Sequence, residues 1–476
     1  MIQLIHHYAF YCTFLLYNVA WVWPLHGQIS TVQIKKEKQT SKDSLSLKQA
    51  LLNARWDVNT RTFMMSTHNQ GPSNDAYAVA FGAGLGVLTQ SINGWQAGIS
   101  GFFITKLLSS NLQQPEPSGT LPNRYEAGLF DIQNMTNANA LPRLESFFIK
   151  YNHKNSAVVI GKMNLNTPFF NPQDGRMRPT LVEGVWLNSR ESKKFNWSGG
   201  WIWGVSPRST VNWYALSNSI GIFPMGTSVN GQRSNYAGNI QGCSGMAITN
   251  ISYLPNRFMK IDVWNGFLEN VMNTALIEAR YEKKLEDKVW YSGFIFLHQN
   301  AVHNGGNANP EKTYYEKGSQ ANALSAQYGF NNGKWNTNIN YTHITGDGRY
   351  LMPREWGREV FYTFLSRERN EGMGKVHAAM VRTTYSTTNK RLQSSLAYGY
   401  YVLPDVRDAR YNKYGLPSYH QINLEVNHAF KGFLKGTELR FLAAYKINAG
   451  QTYGDLKYQF NKVDMLNLNV IVDFKL

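Results

Sequence analysis

The sequence predicts an all-β fold, a transmembrane up-and-down antiparallel β-barrel of about eighteen strands. Three observations carry it. The chain ends MLNLNVIVDFKL, where apolar Leu466, Leu468, Val470, Val472, Phe474 and Leu476 alternate with the mostly polar Met465, Asn467, Asn469, Ile471, Asp473 and Lys475. A period of two that runs to the last residue marks a strand in use, not a fraying terminus. Connections between strand-like segments alternate between short and long, as an up-and-down barrel requires. The composition is aromatic-rich (14%) and charge-poor (17%), and the mean hydropathy of −0.39 comes without an apolar run of about 18 residues beyond the N-terminus. At 476 residues, the chain has room for two or three ordinary domains or one large barrel.

The first segment, YAFYCTFLLYNVAWVWPLHG, has an apolar core followed by a Pro and small residues. Residues 1–27 are read as a secretory signal peptide cut near Gly27, although MIQLIHH lacks the usual Lys or Arg. A single membrane anchor is the alternative, and Asn18 and the shortness of the run weigh against it. Removal of the leader takes Cys12 with it and leaves Cys243 alone, so neither an internal disulfide nor a cysteine-based metal site is expected. Residues 28–50 read as a mobile basic segment with a short helix at SLKQALL, and 51–476 as the barrel.

Within the barrel the faces separate cleanly. TALIEARYE sets Ala275, Ile277, Ala279 and Tyr281 against Glu278, Arg280 and Glu282, and WNTNINYTH sets Trp335, Thr337, Ile339 and Tyr341 against Asn336, Asn338 and Asn340. LQSSLAYGYYV gathers Leu392, Leu396, Tyr398, Tyr400 and Val402 on one side, while TELRFLAAYKI opposes Leu439, Phe441, Ala443, Tyr445 and Ile447 to Glu438, Arg440 and Lys446. A helix, with its period of about 3.6, would smear these faces. Short connections are read near 90–94, 153–156, 254–256, 284–288, 331–334, 388–390 and 431–436. Long ones are read near 109–143, 164–179, 207–235, 300–319, 346–373, 404–417 and 448–462, with two shorter members in the long class. Trp95, Trp197, Trp290 and Trp335 each follow a short turn, which places them in one interfacial girdle. The GAGLG at 82–86 reads as close packing in a strand, not as a phosphate loop. The terminal strand then has a reason: a closed barrel in lipid must pair its last strand with its first, leaving no backbone group unmatched.

Certain stretches go beyond pattern. IGKMNLNTP, NPQDGRMRPTLVEG and REWGRE, set within 127–189 and 344–374, resemble the OprD-type family of outer-membrane porins, in a form associated with Bacteroidetes-like sequences. The resemblance extends over nearly all of the mature chain. It implies a monomeric eighteen-stranded barrel in the bacterial outer membrane, with long extracellular loops folded into the lumen around a charged constriction. It also implies passive uptake of small hydrophilic solutes. The C-terminal strand resembles the signal read by the barrel assembly machinery, although Leu476 and not an aromatic is last.

On this reading Asp174, Arg176 and Arg178 in NPQDGRMRPT, with Arg349, Arg354, Glu355, Arg358 and Glu359 in GDGRYLMPREWGRE, are candidates for the constriction. Arginine keeps its charge and offers planar donors to carboxylate or phosphate, and facing charges across a narrow pore set selectivity. The alternative is that these pairs pin loops to the wall. Strand parity suggests a lumen-facing basic track of Lys150, Lys162, Lys260, Arg280, Arg382, Arg440 and Lys446, because a lipid-facing cation costs about 2–4 kcal/mol at mid-bilayer. The net charge of +17 is dispersed along the chain, which suits a basic lumen or lipid headgroups better than nucleic acid. A lumen rich in Arg and Lys favours anionic or neutral solutes. No HExxH or GxSxG occurs, and no metal site, cofactor or enzyme activity is expected. The expected function is an outer-membrane diffusion porin. A channel selective for oligosaccharides or peptides, or an outer-membrane barrel hydrolase, are the alternatives.

Overall fold

The computed structural model describes residues 46–114, 125–136, 138–173 and 176–476. The expected leader, most of the basic segment and Asp174 lie outside the described residues. Ser46 caps a short helix, Leu47–Leu52, through a reciprocal bond with Gln49, and this helix precedes the first strand. The helix touches the short turn at 89–94, where the Gln90 N–H donates to the Ala50 carbonyl at 3.2 Å.

From Arg55 the chain is an antiparallel meander. Strands β1 (Arg55–Asn69), β2 (Ala76–Leu88), β3 (Trp95–Ser109), β4 (Leu141–His153), β5 (Ser156–Met163), β6 (Leu181–Ser189) and β7 (Phe195–Ser206) follow one another round the wall. The two-residue β8 (Tyr214–Ala215) pairs only with the long-loop end of β7. Below it β7 pairs with β9 (Met246–Asn256). The wall continues through β10 (Met259–Leu268), β11 (Met272–Leu285), β12 (Lys288–Ala301), β13 (Gln320–Asn331) and β14 (Trp335–Ile344). It ends with β15 (Val376–Ser386), β16 (Leu392–Val402), β17 (Tyr419–Ala429), β18 (Thr437–Asn448) and β19 (Met465–Lys475). Of the nineteen strands, all but β8 form the wall, so the barrel has eighteen. β1 pairs with β19 from Asn59↔Lys475 to Asn69↔Met465, and the Leu476 N–H reaches the Val58 carbonyl at 3.0 Å. The chain is thus used to its last residue.

The short and long connections fall on opposite rims, as the alternation predicts. The shorter members of the long class are 70–75 and 269–271, and the β7–β9 connection runs to residue 245, ten beyond the expected 235. The turn after β2 contains Asn93 and Gly94 at φ of 50° and 92°, a pair suited to a tight hairpin. Trp95, Trp197 and Trp335 are exposed on the outer face next to the short turns. Trp290 joins them, stacked on Tyr328 at 5.8 Å between centroids. Exposed Ile277, Tyr281, Ile339, Leu396, Tyr398 and Tyr400 likewise face outward. Inward lie Asn340, Asn423, Asn467 and Asn469, all buried.

The GAGLG glycines make room for one ring. A Cβ on Gly82 would stand 2.3 Å from Phe102 Cε1, and one on Gly84 would stand 2.5 Å from its Cδ2. Phe102 therefore lies flat against β2, and the Arg178 guanidinium sits 4.0 Å above its ring. Packing in a strand thus positions a charge in the lumen.

Candidate functional site: the lumen and its inward loops

The connection 345–375 between β14 and β15 does not project from the rim. It runs along the inner wall, and each contact has a named inward partner. Gln299 of β12 bonds both Leu351 backbone groups, at 2.8 and 2.9 Å. Tyr362 donates its N–H to Ser325 Oγ of β13 (3.0 Å) and its hydroxyl to Glu278 of β11 (2.6 Å). Thr363 meets Thr342 of β14 at 2.8 Å, and its carbonyl accepts the Tyr401 hydroxyl of β16 at 2.7 Å. Arg382 of β15 holds the Phe364 carbonyl at 2.9 Å, and Gln421 of β17 holds that of Ser366 at 2.7 Å. Arg367 reaches β19 at Asn467 (2.7 Å) and Asn469 (2.6 Å). The loop covers the inner wall from β11 to β19.

The β5–β6 loop, 164–180, is sewn to it. Asn171 donates to the Arg358 carbonyl (2.8 Å) and accepts the Arg358 N–H (3.1 Å), while Thr180 Oγ1 donates to the Glu355 carbonyl at 2.7 Å. Buried Trp356 packs on Phe170 at 4.5 Å and donates its indole N–H to Ser219 Oγ at 2.9 Å.

The candidate constriction residues divide by environment. Arg349 is buried and holds the carbonyls of Thr227 (2.7 Å) and Ser228 (3.2 Å). Glu355 is buried and accepts the N–H groups of Gly221 (3.0 Å) and Phe223 (2.8 Å); burial pushes its carboxyl up. Glu359 is buried, accepts the Asn370 N–H, and is also pushed up by burial, with Arg369 opposing. These three clasp loops. Arg354 and Arg358 are half-buried, lying over Tyr414 (4.9 Å) and Phe364 (4.5 Å). Arg176, at φ of 47°, offers its carbonyl to Arg61 Nη1 at 2.7 Å. Arg178 pairs with Glu145 through both oxygens and reaches Asn59 at 3.2 Å. Glu145 is the extra residue of a bulge in β4, where Ser100 pairs with Ser146 but Gly101 pairs with Leu144. Such a bulge re-aims a side chain.

The basic track also divides. Lys260 and Arg280 converge on Asp262, at 2.7 and 2.9 Å, and Arg280 also meets Glu278 at 3.2 Å. Opposite them, Arg440 and Arg61 flank Asp473, with Arg61 Nη2 at 3.1 Å from Oδ2, and Glu438 lies 3.8 Å from Arg440 Nε. β10 and β19 stand nine strands apart in either direction round the wall, so these clusters face each other across the lumen. Both are near the short-turn rim: Asp262 lies three residues into β10 and Asp473 two before the end of β19. Lys150 is on the inner face of β4, paired in register with Gln96. Arg382 grips the inward loop, and Lys446 is buried with its ammonium 4.3 Å over Tyr419.

Lys162 departs from the expectation. It shares a rung with Phe147, which is 61% exposed, and with Glu183, so it points to the outer face. Polarity suggested the lumen, but the charge is met locally. Glu183 pairs with it and the Trp213 ring covers it at 4.3 Å. The Trp213 indole N–H in turn bonds the Leu144 carbonyl at 2.8 Å, beyond the last β4–β5 pair, Phe147↔Lys162.

The site roles of Arg61, Asp262, Asp473, Glu278, Glu438 and Glu145 do not show in the sequence. Their parity was legible, but pairing across strands depends on register. A further buried acid, Glu126, accepts the Thr67 hydroxyl at 2.6 Å, and burial pushes its carboxyl up to about 7. The segment around it is docked by the Ser209 hydroxyl on the Gly128 carbonyl (2.6 Å) and the Ile132 N–H on the Ser209 carbonyl (3.0 Å). A raised carboxyl pKa means the docked state holds a proton that the undocked state, near the usual 4.5, has lost. Docking therefore weakens as pH rises from about 4.5 to about 7 and is level beyond, by at most about 3 kcal/mol. Hydrogen exchange of the Ile132 amide, corrected for intrinsic rate, is expected to quicken over that range in the native chain and not in Glu126→Gln. Equal pH profiles in the two proteins would contradict this.

Comparison with known proteins places this geometry. Residues 51–391 match the model of the OprD family, described as outer membrane porin. The solved structure of opdK from Pseudomonas aeruginosa is 15% identical, with a TM-score of 0.65 over 90% of this chain and 99% of that one. OccK9 (OpdG) of the same organism is 14% identical at TM-score 0.67, again over 90% and 99%. OccK2 (OpdF), solved in complex with glucuronate, is 13% identical at TM-score 0.65 over 90% and 98%. Among curated proteins none matches the chain.

Proposed function

The chain belongs to the OprD family of outer-membrane porins, and on that premise we propose that it conducts small carboxylate-bearing solutes through a constriction bounded by the 164–180 and 345–375 loops. As a porin it lies in the bacterial outer membrane and passes small water-soluble solutes by passive diffusion. Family and fold both point to a channel, not an enzyme.

The observation that carries the solute class is an asymmetry of exposure. In the cluster on β10 and β11 the carboxylate of Asp262 is 3% exposed, while Lys260 and Arg280 are 40% and 48% exposed. The acid orients the cations and the cations meet the solute. The opposite cluster is more even: Arg440 is 33% exposed beside Asp473 at 23% and Arg61 at 19%, so the asymmetry belongs to the β10–β11 cluster and Arg440 adds a second open guanidinium across the lumen. Guanidinium groups held this way present paired donors to a carboxylate. Half-buried Arg178, Arg354 and Arg358 are assigned to the narrow part of the passage, and Arg176 and Asp174 to its flank. The glucuronate in one solved relative is itself a carboxylate. The oligosaccharide alternative needs aromatic tracks in the lumen, whereas Phe294, Tyr328, Tyr341 and Tyr398 are exposed on the outer face. Removal of residues 1–27, insertion by the assembly machinery and a monomeric state complete the proposal.

The test is single-channel conductance of refolded protein in a planar bilayer, with a salt gradient to give the reversal potential. Stable steps with anion preference, and blockade by added glucuronate, are expected. Cation preference would sink the carboxylate assignment and leave the porin.

A further inference from the structure

Four loops meet at one buried point on the long-loop side, away from the charge clusters of the lumen. At that point stands Lys413, in the 403–418 loop, with its side chain 3% exposed. Among the described residues its ammonium makes no hydrogen bond, and the nearest carboxylate oxygen, Glu371 Oε1, is 3.5 Å away. Three rings surround it: Tyr236 and Tyr314 at 5.0 Å and Tyr414 at 5.4 Å. Tyr236 comes from the 207–245 loop, Tyr314 from 302–319 and Glu371 from 345–375.

The Lys413 backbone is used as well. Its N–H donates to the Gly372 carbonyl at 3.0 Å, and its carbonyl accepts the Thr227 N–H at 2.8 Å. The neighbouring Tyr414 donates its hydroxyl to Glu371 Oε2 at 2.8 Å and carries the Arg354 guanidinium on its ring. Arg349 fastens the same spot by holding the Thr227 carbonyl.

Taking an ammonium out of water costs several kcal/mol unless every compensating partner stays in place. Here the partners belong to different loops. A loop that swings away strips the charge of a π face or of its carboxylate, so the cost couples the loops to one another. A surface lysine could not do this, since water would replace each lost contact.

We propose that Lys413 is a positioning residue for conduction: without lining the passage, it holds the 345–375 loop in its inward place and thereby sets conductance and selectivity. This rests on the reading that the 345–375 loop bounds the constriction.

The experiment compares the full chain with Lys413→Met, Lys413→Arg and Tyr314→Leu in planar bilayers, with heat-modifiable gel migration reporting the folded barrel. Lys413→Met is expected to fold, to raise conductance about twofold or more with added open-channel noise, and to shift the reversal potential. Tyr314→Leu, from a different loop, should change the same quantities in the same direction, and Lys413→Arg should restore much of the native behaviour. A folded Lys413→Met with native conductance, noise and reversal potential would overturn the proposal. If that variant yields no barrel, Tyr314→Leu decides by the same criteria. Loss of the barrel in both would also overturn it, since the node would then serve folding and not loop placement. Trp356→Ala, which loosens the same loop elsewhere, is run alongside. If it leaves conductance unchanged, the constriction reading has failed, whatever Lys413 does.

Discussion

Trp356→Ala is expected to convert a narrow channel into a wide one while leaving the barrel intact. Trp356 is the largest fully buried side chain among the described residues, and it sits where the inward loops join. It packs on Phe170 from the 164–180 loop and bonds Ser219 from the 207–245 loop. Truncating a buried tryptophan costs about 3–5 kcal/mol. That cost falls on loop packing, because the strands have their own closed ladder of hydrogen bonds. The loops should therefore detach in part while the gel signature of the folded barrel persists. Single-channel recording should show severalfold higher conductance and weaker discrimination among solutes. A folded variant with native conductance would mean the loops do not bound the passage.

The second large effect is on ion selectivity. Each opposed cluster holds two cations and two carboxylates: Lys260 and Arg280 with Asp262 and Glu278, and Arg61 and Arg440 with Asp473 and Glu438. Converting Arg280 and Arg440 to Glu leaves one cation against three carboxylates in each, so a formal charge of zero becomes minus two. The reversal potential in a salt gradient is expected to change sign from anion to cation preference. The effect should be greatest in dilute salt, where the screening length exceeds about 10 Å. A charge-removing control, Arg280→Gln with Arg440→Gln, takes each cluster only to minus one and should fall between. Loss of Arg280 leaves the buried Asp262 with one partner fewer, so folding is checked by gel migration first. An unchanged reversal potential in the folded double variant would remove these clusters from the selectivity path.

How much of this was legible in advance differs between wall and site. The eighteen-strand meander, the two classes of connection, the outward Trp positions and the used C-terminus all rest on local patterns. A period of two needs no knowledge of neighbours. Site residues are another matter. Arg349, Glu355 and Glu359 stand out in the sequence as a dense charged run, yet the fold uses them on loop backbone, Arg349 and Glu355 on the 207–245 loop and Glu359 on Asn370 of its own loop. The roles of Asp262 and Asp473 are not legible in the sequence, because a lone Asp in a strand gains meaning only when register sets Arg280 or Arg61 beside it.

The sequence by itself determined the two-faced alternation of most strands, the order of short and long connections and the need for the wall to close. Those follow from alternation and from the cost of unpaired backbone in lipid, both properties of the chain at short range. The tertiary structure alone decided what the inward charges do. Loops nearly two hundred residues apart, such as those holding Asn171 and Arg358, become neighbours only after closure. Lys162 makes the same point: its charge argued for the lumen, and a partner on the next strand with an indole from a distant loop let it face outward. Electrostatic roles depend on who is within a few ångströms, and that distance is a property of the closed barrel, not of the spacing along the chain.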